Sequence, residues 1–197
     1  MHPIWVFVTD CGDSALTLPL ALLTLAFLLL RRQFRPALLW LAAIAGCAAV
    51  MAVLKLLFGA CGHRIAAGGI VSPSGHAAMS AAIYGGLALL VGAQLPAAAR
   101  RALYAATAAA VAAIAASRLM LHDHDAAELA LGLAVGALAV AGFAAGLRRL
   151  GPPPLPLRGF LLCSALLFVA LHGTRWMIEP VLHRLAEMLR VALPGCH

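Results

Sequence analysis

The sequence predicts an all-α integral membrane protein, with six transmembrane helices in one bundle and a short C-terminal amphipathic helix. Three observations predict it. Of the 197 residues 64% are hydrophobic and only 11% charged, against about 25% charged in soluble domains, leaving too little polar surface to cover a water-exposed globule. The apolar residues fall into six runs close to the roughly 17 to 25 residues that cross hydrocarbon. The arginines cluster in the connections between those runs, as membrane loops are charged. A net charge of +7 in that pattern reports topology and gives no reason to expect nucleic acid.

The runs are Ser14 to Leu30, Ala37 to Leu54, Gly75 to Leu95, Ala102 to Leu121, Asp125 to Leu147, and Leu157 to Thr174. Each must be helical, because in lipid every backbone group needs a partner within the segment. The last is near the minimum length, since His172 and Arg175 limit it. Asp10 to Ser14 reads as a helix cap, or as a lid near the site. Pro152, Pro153, Pro154 and Pro156 make a stiff linker. Gly132 and Gly136 form a small-xxx-small pair that predicts close helix packing. Trp5, Trp40 and Trp176 fall near span ends, where an interfacial aromatic belt is expected. Beyond Glu179, apolar residues alternate with His183, Arg184, Glu187 and Arg190 at helical spacing, so residues 179–193 read as an amphipathic tail on the outer surface. The chain is one transmembrane domain over 1–197 with no internal repeat. No basic region precedes the first run, so no removable signal peptide is expected.

Charge orients the spans. The connections after spans one, three and five hold Arg31, Arg32, Arg35, Arg100, Arg101, Arg148, Arg149 and Arg158 and no acid. Cytoplasmic loops carry such a surplus. The other face receives Lys55, Arg64, Arg118 and every Asp and Glu, and both termini are expected there. Cys11, Cys61 and Cys196 would lie on that face too, where a Cys11–Cys61 or Cys61–Cys196 disulfide is permitted. Cys47 and Cys163, inside spans, read as packing residues.

Residues with catalytic potential collect in three stretches on that one face. Intramembrane ionisable groups are costly, so such a cluster points to function. The first, Lys55 to Arg64, leaves span two. The second, Ser72-Pro73-Ser74-Gly75-His76, opens span three. There the first N–H groups lack intrahelical partners and the dipole favours an anion, which suits phosphate. Gly75 lets a ligand approach the backbone, and His76 is placed to pass a proton to a leaving oxygen. Ser74 also fits a plain helix cap. The third holds Ser117-Arg118, then His124 and Glu128 on one helix face. A carboxylate holding one imidazole nitrogen leaves the other free to attack phosphorus; a structural His–Glu pair capping the helix is the plainer alternative. Arg118 offers a planar fork to phosphate oxygens. His122, Asp123, His124 and Asp125 invite a metal, but adjacent helical residues point apart and cannot easily converge on one ion. No metal is expected.

Together these motifs resemble the type 2 phosphatidic acid phosphatase superfamily, which includes bacterial undecaprenyl pyrophosphate phosphatases. Pro73, Ser74, Gly75 and His76 match its second motif in full. Ser117, Arg118 and His124 keep the spacing of the third, with Glu128 where the family usually has Asp. The first departs more: Arg64 follows Lys55 after eight residues instead of six, Ile65 replaces a proline, and His63 competes for the ligand role. The resemblance, spanning Lys55 to Glu128, implies a lipid phosphate or pyrophosphate phosphatase that uses no cofactor. Its catalytic residues would be His124 as nucleophile, Glu128 orienting it, and His76 as acid. Lys55, Arg64, Arg118 and the Ser74–Gly75 backbone would hold the phosphate. It further implies a bacterial inner membrane, a periplasmic site, and polyprenyl pyrophosphate or phosphatidic acid as substrate. A lipid-to-lipid phosphotransferase and a non-catalytic phosphate-lipid binder or transporter are the alternatives.

Overall fold

A computed structural model describes residues 2–65, 72–176, 182 and 184–188, with the side chains of residues 2 and 61–65 excepted. The helices are α1 (His2–Asp10), α2 (Ser14–Leu30), α3 (Phe34–Ile65), α4 (Gly75–Gly92), α5 (Ala97–Met120), α6 (Ala126–Leu150) and α7 (Leu157–Leu171), with no strand among the described residues. Among the described residues five stretches are long and apolar enough to cross a membrane: Pro3–Leu30, broken by an elbow at residues 11–13, then Phe34–Ala60, Gly75–Gly92, Ala97–Met120 and Ala126–Leu150. Large apolar side chains such as Leu22, Leu30, Leu138 and Val169 point outward, each more than 60% exposed, as expected of a surface that meets lipid.

Polar caps set several ends. Asp13 opens α2, its Oδ1 accepting from Ala15 N–H at 2.8 Å. At the far end Arg32 takes φ 55° and Gln33 N–H closes on Leu28 O at 2.9 Å, a left-handed C-cap. Ser74 opens α4. Gly151, at φ 78°, ends α6 just before the proline linker.

Three elements differ from the sequence expectation. Helix α1 was not anticipated, because nine residues are too few to register as a span; it packs on α5. Helix α3 continues past Leu54 to Ile65. Lys55 interrupts the apolar run, but it is buried and hydrogen-bonded, so its charge does not stop the helix. Helix α7 has 15 residues, about 22 Å at ~1.5 Å per residue, short of the ~30 Å hydrocarbon core. It still joins the two ends of the bundle. The linker before it accepts from Gln94 Nε2 through Pro153 O at 2.8 Å, and His172 just after it lies 3.1 Å from Phe7 O.

The core lies where α2, α3, α4, α6 and α7 meet, around Leu28, Trp40, Ile83, Phe143 and Phe160. Trp40 corrects the aromatic-belt reading. It is 1% exposed and packs edge-on against Phe143, and its indole N–H donates to Ala21 O at 3.0 Å. A satisfied N–H lets an indole sit in a core. Gly132 and Gly136 do mark close packing. A Cβ at Gly132 would overlap the Ser74 carbonyl, and one at Gly136 would come 2.5 Å from the Ala78 carbonyl. Helix α6 therefore lies directly on the backbone of α4. Most of the 179–193 tail lies outside the described residues; residues 184–188 are helical, with Ala186 buried close to Gly59 of α3.

Candidate active site

The loop into α4 is the centre of the site. Ser74 is fully buried and its Oγ accepts from Ala77 N–H at 3.4 Å, so the side chain caps the helix. Its own N–H donates to Glu128 O at 3.2 Å. The Gly75 N–H has no partner among the described residues. A Cβ at Gly75 would stand 3.5 Å from Lys55 Cε and 4.0 Å from Nζ. The glycine thus opens its backbone towards an ammonium, an arrangement suited to an anion.

Lys55 reaches this loop because α3 overruns its apolar stretch. Its Nζ donates to Ser72 Oγ at 3.2 Å. Ser72 N–H in turn donates to Glu128 Oε1 at 2.7 Å. The other carboxylate oxygen, Oε2, lies 2.7 Å from His124 Nδ1 and accepts from Asp125 N–H at 3.4 Å. Both side chains of the His124–Glu128 pair are buried, at 4% and 7% exposure. With Nδ1 on a fixed carboxylate, the Nε2 lone pair is the one left for a ligand. The pair also serves the start of α6, so the capping and orienting readings coexist.

Arg118, at the end of α5, donates from Nη1 to Thr9 Oγ1 at 3.2 Å and to Asp123 Oδ2 at 2.9 Å. Its Nε is buried and has no hydrogen-bond partner among the described residues. Asp123 pairing with Arg118 and His124 with Glu128 sends the His122–Asp125 run in different directions, and His122 turns outward at φ 58°. Among the described residues no three His, Cys, Asp or Glu side chains gather as a metal-holding group. The side chains of Arg64, His63 and Cys61, and all of Cys196, lie outside the described residues. Cys11 is a free thiol donating to Phe7 O at 3.6 Å.

The sequence favoured a cap over a lid for the N-terminal elbow, and did not pair it with His76. Asp13 is the cap it was expected to be, yet its Oδ2 also lies 3.7 Å from His76 Nε2. Asp10 accepts from Arg175 Nε at 2.8 Å, and Asp13 Oδ1 from Trp176 N–H at 3.2 Å. The Asp10 hydrogen bond raises the Arg175 pKa further still, so that guanidinium stays charged. Tyr84 donates its hydroxyl to Cys11 O. The one available signal was two acids flanking Gly12 at a predicted span start.

Beside the elbow, an apolar cleft of about 580 Å³ runs between α2, α4, α5 and α7, lined among others by Cys11, Leu20, Tyr84, Ala110, Ile114 and Phe168. Its volume is that of a small-ligand site. In comparisons with known proteins, the family model described as the PAP2 superfamily matches residues 60–151. That segment contains the second and third motifs and begins just after Lys55. No curated protein and no solved structure matches the chain.

Proposed function

We propose, from the premise that residues 60–151 are a PAP2 superfamily segment, of the type 2 phosphatidic acid phosphatases, that this chain hydrolyses lipid phosphates or pyrophosphates through a phosphohistidine. Members of that superfamily are phosphatases, and the apolar helices fit a lipid substrate and a bilayer. The observation that carries the reading is the clamp on His124: one buried carboxylate takes its Nδ1 and two backbone N–H groups. A structural cap does not require a histidine there; a nucleophile held in one tautomer does.

The chemistry follows from the neighbours. The phosphoryl oxygens would be held by Lys55, the Gly75 N–H, the Nε edge of Arg118, and Arg64. His124 Nε2 attacks phosphorus as the phosphorus–oxygen bond to the lipid breaks, and His76 gives its proton to the departing oxygen. Water then attacks the phosphohistidine and gives a proton to His76. The next cycle therefore starts with the acid recharged. Lysine and arginine supply the positive charge that offsets the transition state, so the reaction as proposed needs no metal. The cleft would take the lipid tail. The arginine-rich face would be cytoplasmic, which puts the site at the periplasmic face of a bacterial inner membrane, as the family resemblance suggests. Polyprenyl pyrophosphate and phosphatidic acid are the substrate classes to try.

The test is phosphate release from a panel of lipid mono- and pyrophosphates, in detergent and excess EDTA, with His124→Ala alongside. We expect release that persists in chelator and falls roughly a thousandfold or more in the variant. Activity abolished by EDTA, or retained by His124→Ala, would overturn the mechanism.

A further inference from the structure

The site holds a second histidine–carboxylate pair, built from opposite ends of the chain. His76, at the start of α4, presents Nε2 to Asp13 Oδ2 at 3.7 Å, with side-chain exposures of 19% and 9%. Two features show that the elbow is built onto this ring. A Cβ at Gly12 would come 2.6 Å from Ile114 Cγ2, 3.0 Å from Ser80 Oγ and 3.3 Å from His76 Cδ2. A side chain there would run into Ile114 and press on the imidazole, so glycine lets the elbow lie close to the ring. The elbow is also tied down on every side, through Thr9 to Arg118, Asp10 to Arg175, Cys11 O to Tyr84, and Asp13 to the Trp176 N–H. A mere N-cap needs none of these ties, since Asp13 Oδ1 already satisfies Ala15.

We propose that Asp13 is a positioning residue for His76, holding the ring and offsetting its positive charge so that it can protonate the leaving lipid oxygen. This rests on the phosphatase reading above. In the step itself the phosphorus–oxygen bond breaks, its electron pair goes to the lipid oxygen, and the His76 proton joins that oxygen. Asp13 keeps its own charge throughout. A separation of 3.7 Å is long for a hydrogen bond, but catalytic contacts in a free enzyme often tighten only when substrate binds. Glu128 thus serves the nucleophile and Asp13 the acid. The elbow, with α1 before it, becomes part of the catalytic apparatus.

Asp13→Asn separates this role from capping, because asparagine caps helices about as well as aspartate and keeps an oxygen for Ala15 and Trp176. An alkyl lipid phosphate needs its leaving oxygen protonated, whereas 4-nitrophenyl phosphate has a leaving group stable as the anion. We expect Asp13→Asn to lower kcat on the alkyl substrate about ten- to a hundredfold and to change the aryl rate less than about threefold. We expect the Asp13→Asn/His76→Ala double variant to be no slower than His76→Ala alone, because residues acting as a unit are not additive. Equal losses on both substrates would mark Asp13 as structural, and additive losses would show that it does not act through His76. No loss on either substrate, with a parent that turns over both, would sink the proposal and leave the phosphatase reading standing. Absence of phosphate release by the parent itself would overturn that reading, and this one with it.

Discussion

At the scale of single residues, Glu128 shows what one methylene can do. Where the family resemblance leads one to expect aspartate, glutamate reaches two places at once: His124 on its own helix and the Ser72 N–H on the loop into α4. Because Ser72 also accepts from Lys55, the same carboxylate fixes the proposed nucleophile and one anchor of the proposed phosphate cradle. Glu128→Asp should keep one contact and give up the other. Steady-state kinetics should show kcat reduced about ten- to a hundredfold, the worth of one hydrogen bond to a charged group, with thermal stability little changed. Unchanged turnover would mean the longer side chain is incidental. Much of this arrangement was legible in the sequence, because Ser74, Gly75 and His76 are contiguous and His124 and Glu128 are one helical turn apart. The Asp13–His76 contact was not, since nothing local to either residue points to the other. The commitment of the Ser74 N–H to Glu128 O was hidden for the same reason.

At the scale of elements, the site depends on how closely α6 lies on α4. Gly132 faces the carbonyl of Ser74, the cap residue of the loop into α4, whereas Gly142 on the same helix has nothing within 4 Å of a would-be Cβ. Gly132→Ala should therefore push α6 away from the loop, costing about 1–3 kcal/mol in strain. Gly142→Ala should be neutral or slightly favourable, since alanine is the better helix former. Melting temperature in detergent and phosphate release, measured on both variants, check this; equal behaviour would deny Gly132 its role. The starts of α2 and α4 were readable at Ser14 and Gly75 because caps are short-range chemistry. The end of α3 was not, because hydropathy stops at Lys55 while the helix is carried on by a buried hydrogen bond. Nor was α1 readable, a helix that owes its place to tertiary packing rather than to length.

At the scale of the whole molecule, charge and site occupy opposite ends of the bundle. Asp10, Asp13, Asp123, Asp125 and Glu128 gather around His76 and His124, while Arg31, Arg32, Arg35, Arg100, Arg101, Arg148, Arg149 and Arg158 hold the other end without an acid among them. Insertion tests each arginine at ~2.5–3.5 kcal/mol for the hydrocarbon centre, so eight of them make one orientation far easier to reach during synthesis. Helix α7 does not weaken this, although it is short. Residues 172–175 lie against Phe7 and Asp10, so the chain returns to the site end whether or not the helix alone spans the bilayer. A green fluorescent protein fused after Gly151 should therefore glow, having folded in the cytoplasm. The same reporter exported by the general secretory route after Asp123 should stay dark. The reverse pattern would place His124 at the cytoplasmic leaflet. It would leave the proposed chemistry intact but change which lipids can reach it, because under that proposal the phosphate is held at the end of the bundle where Lys55, Gly75 and Arg118 stand.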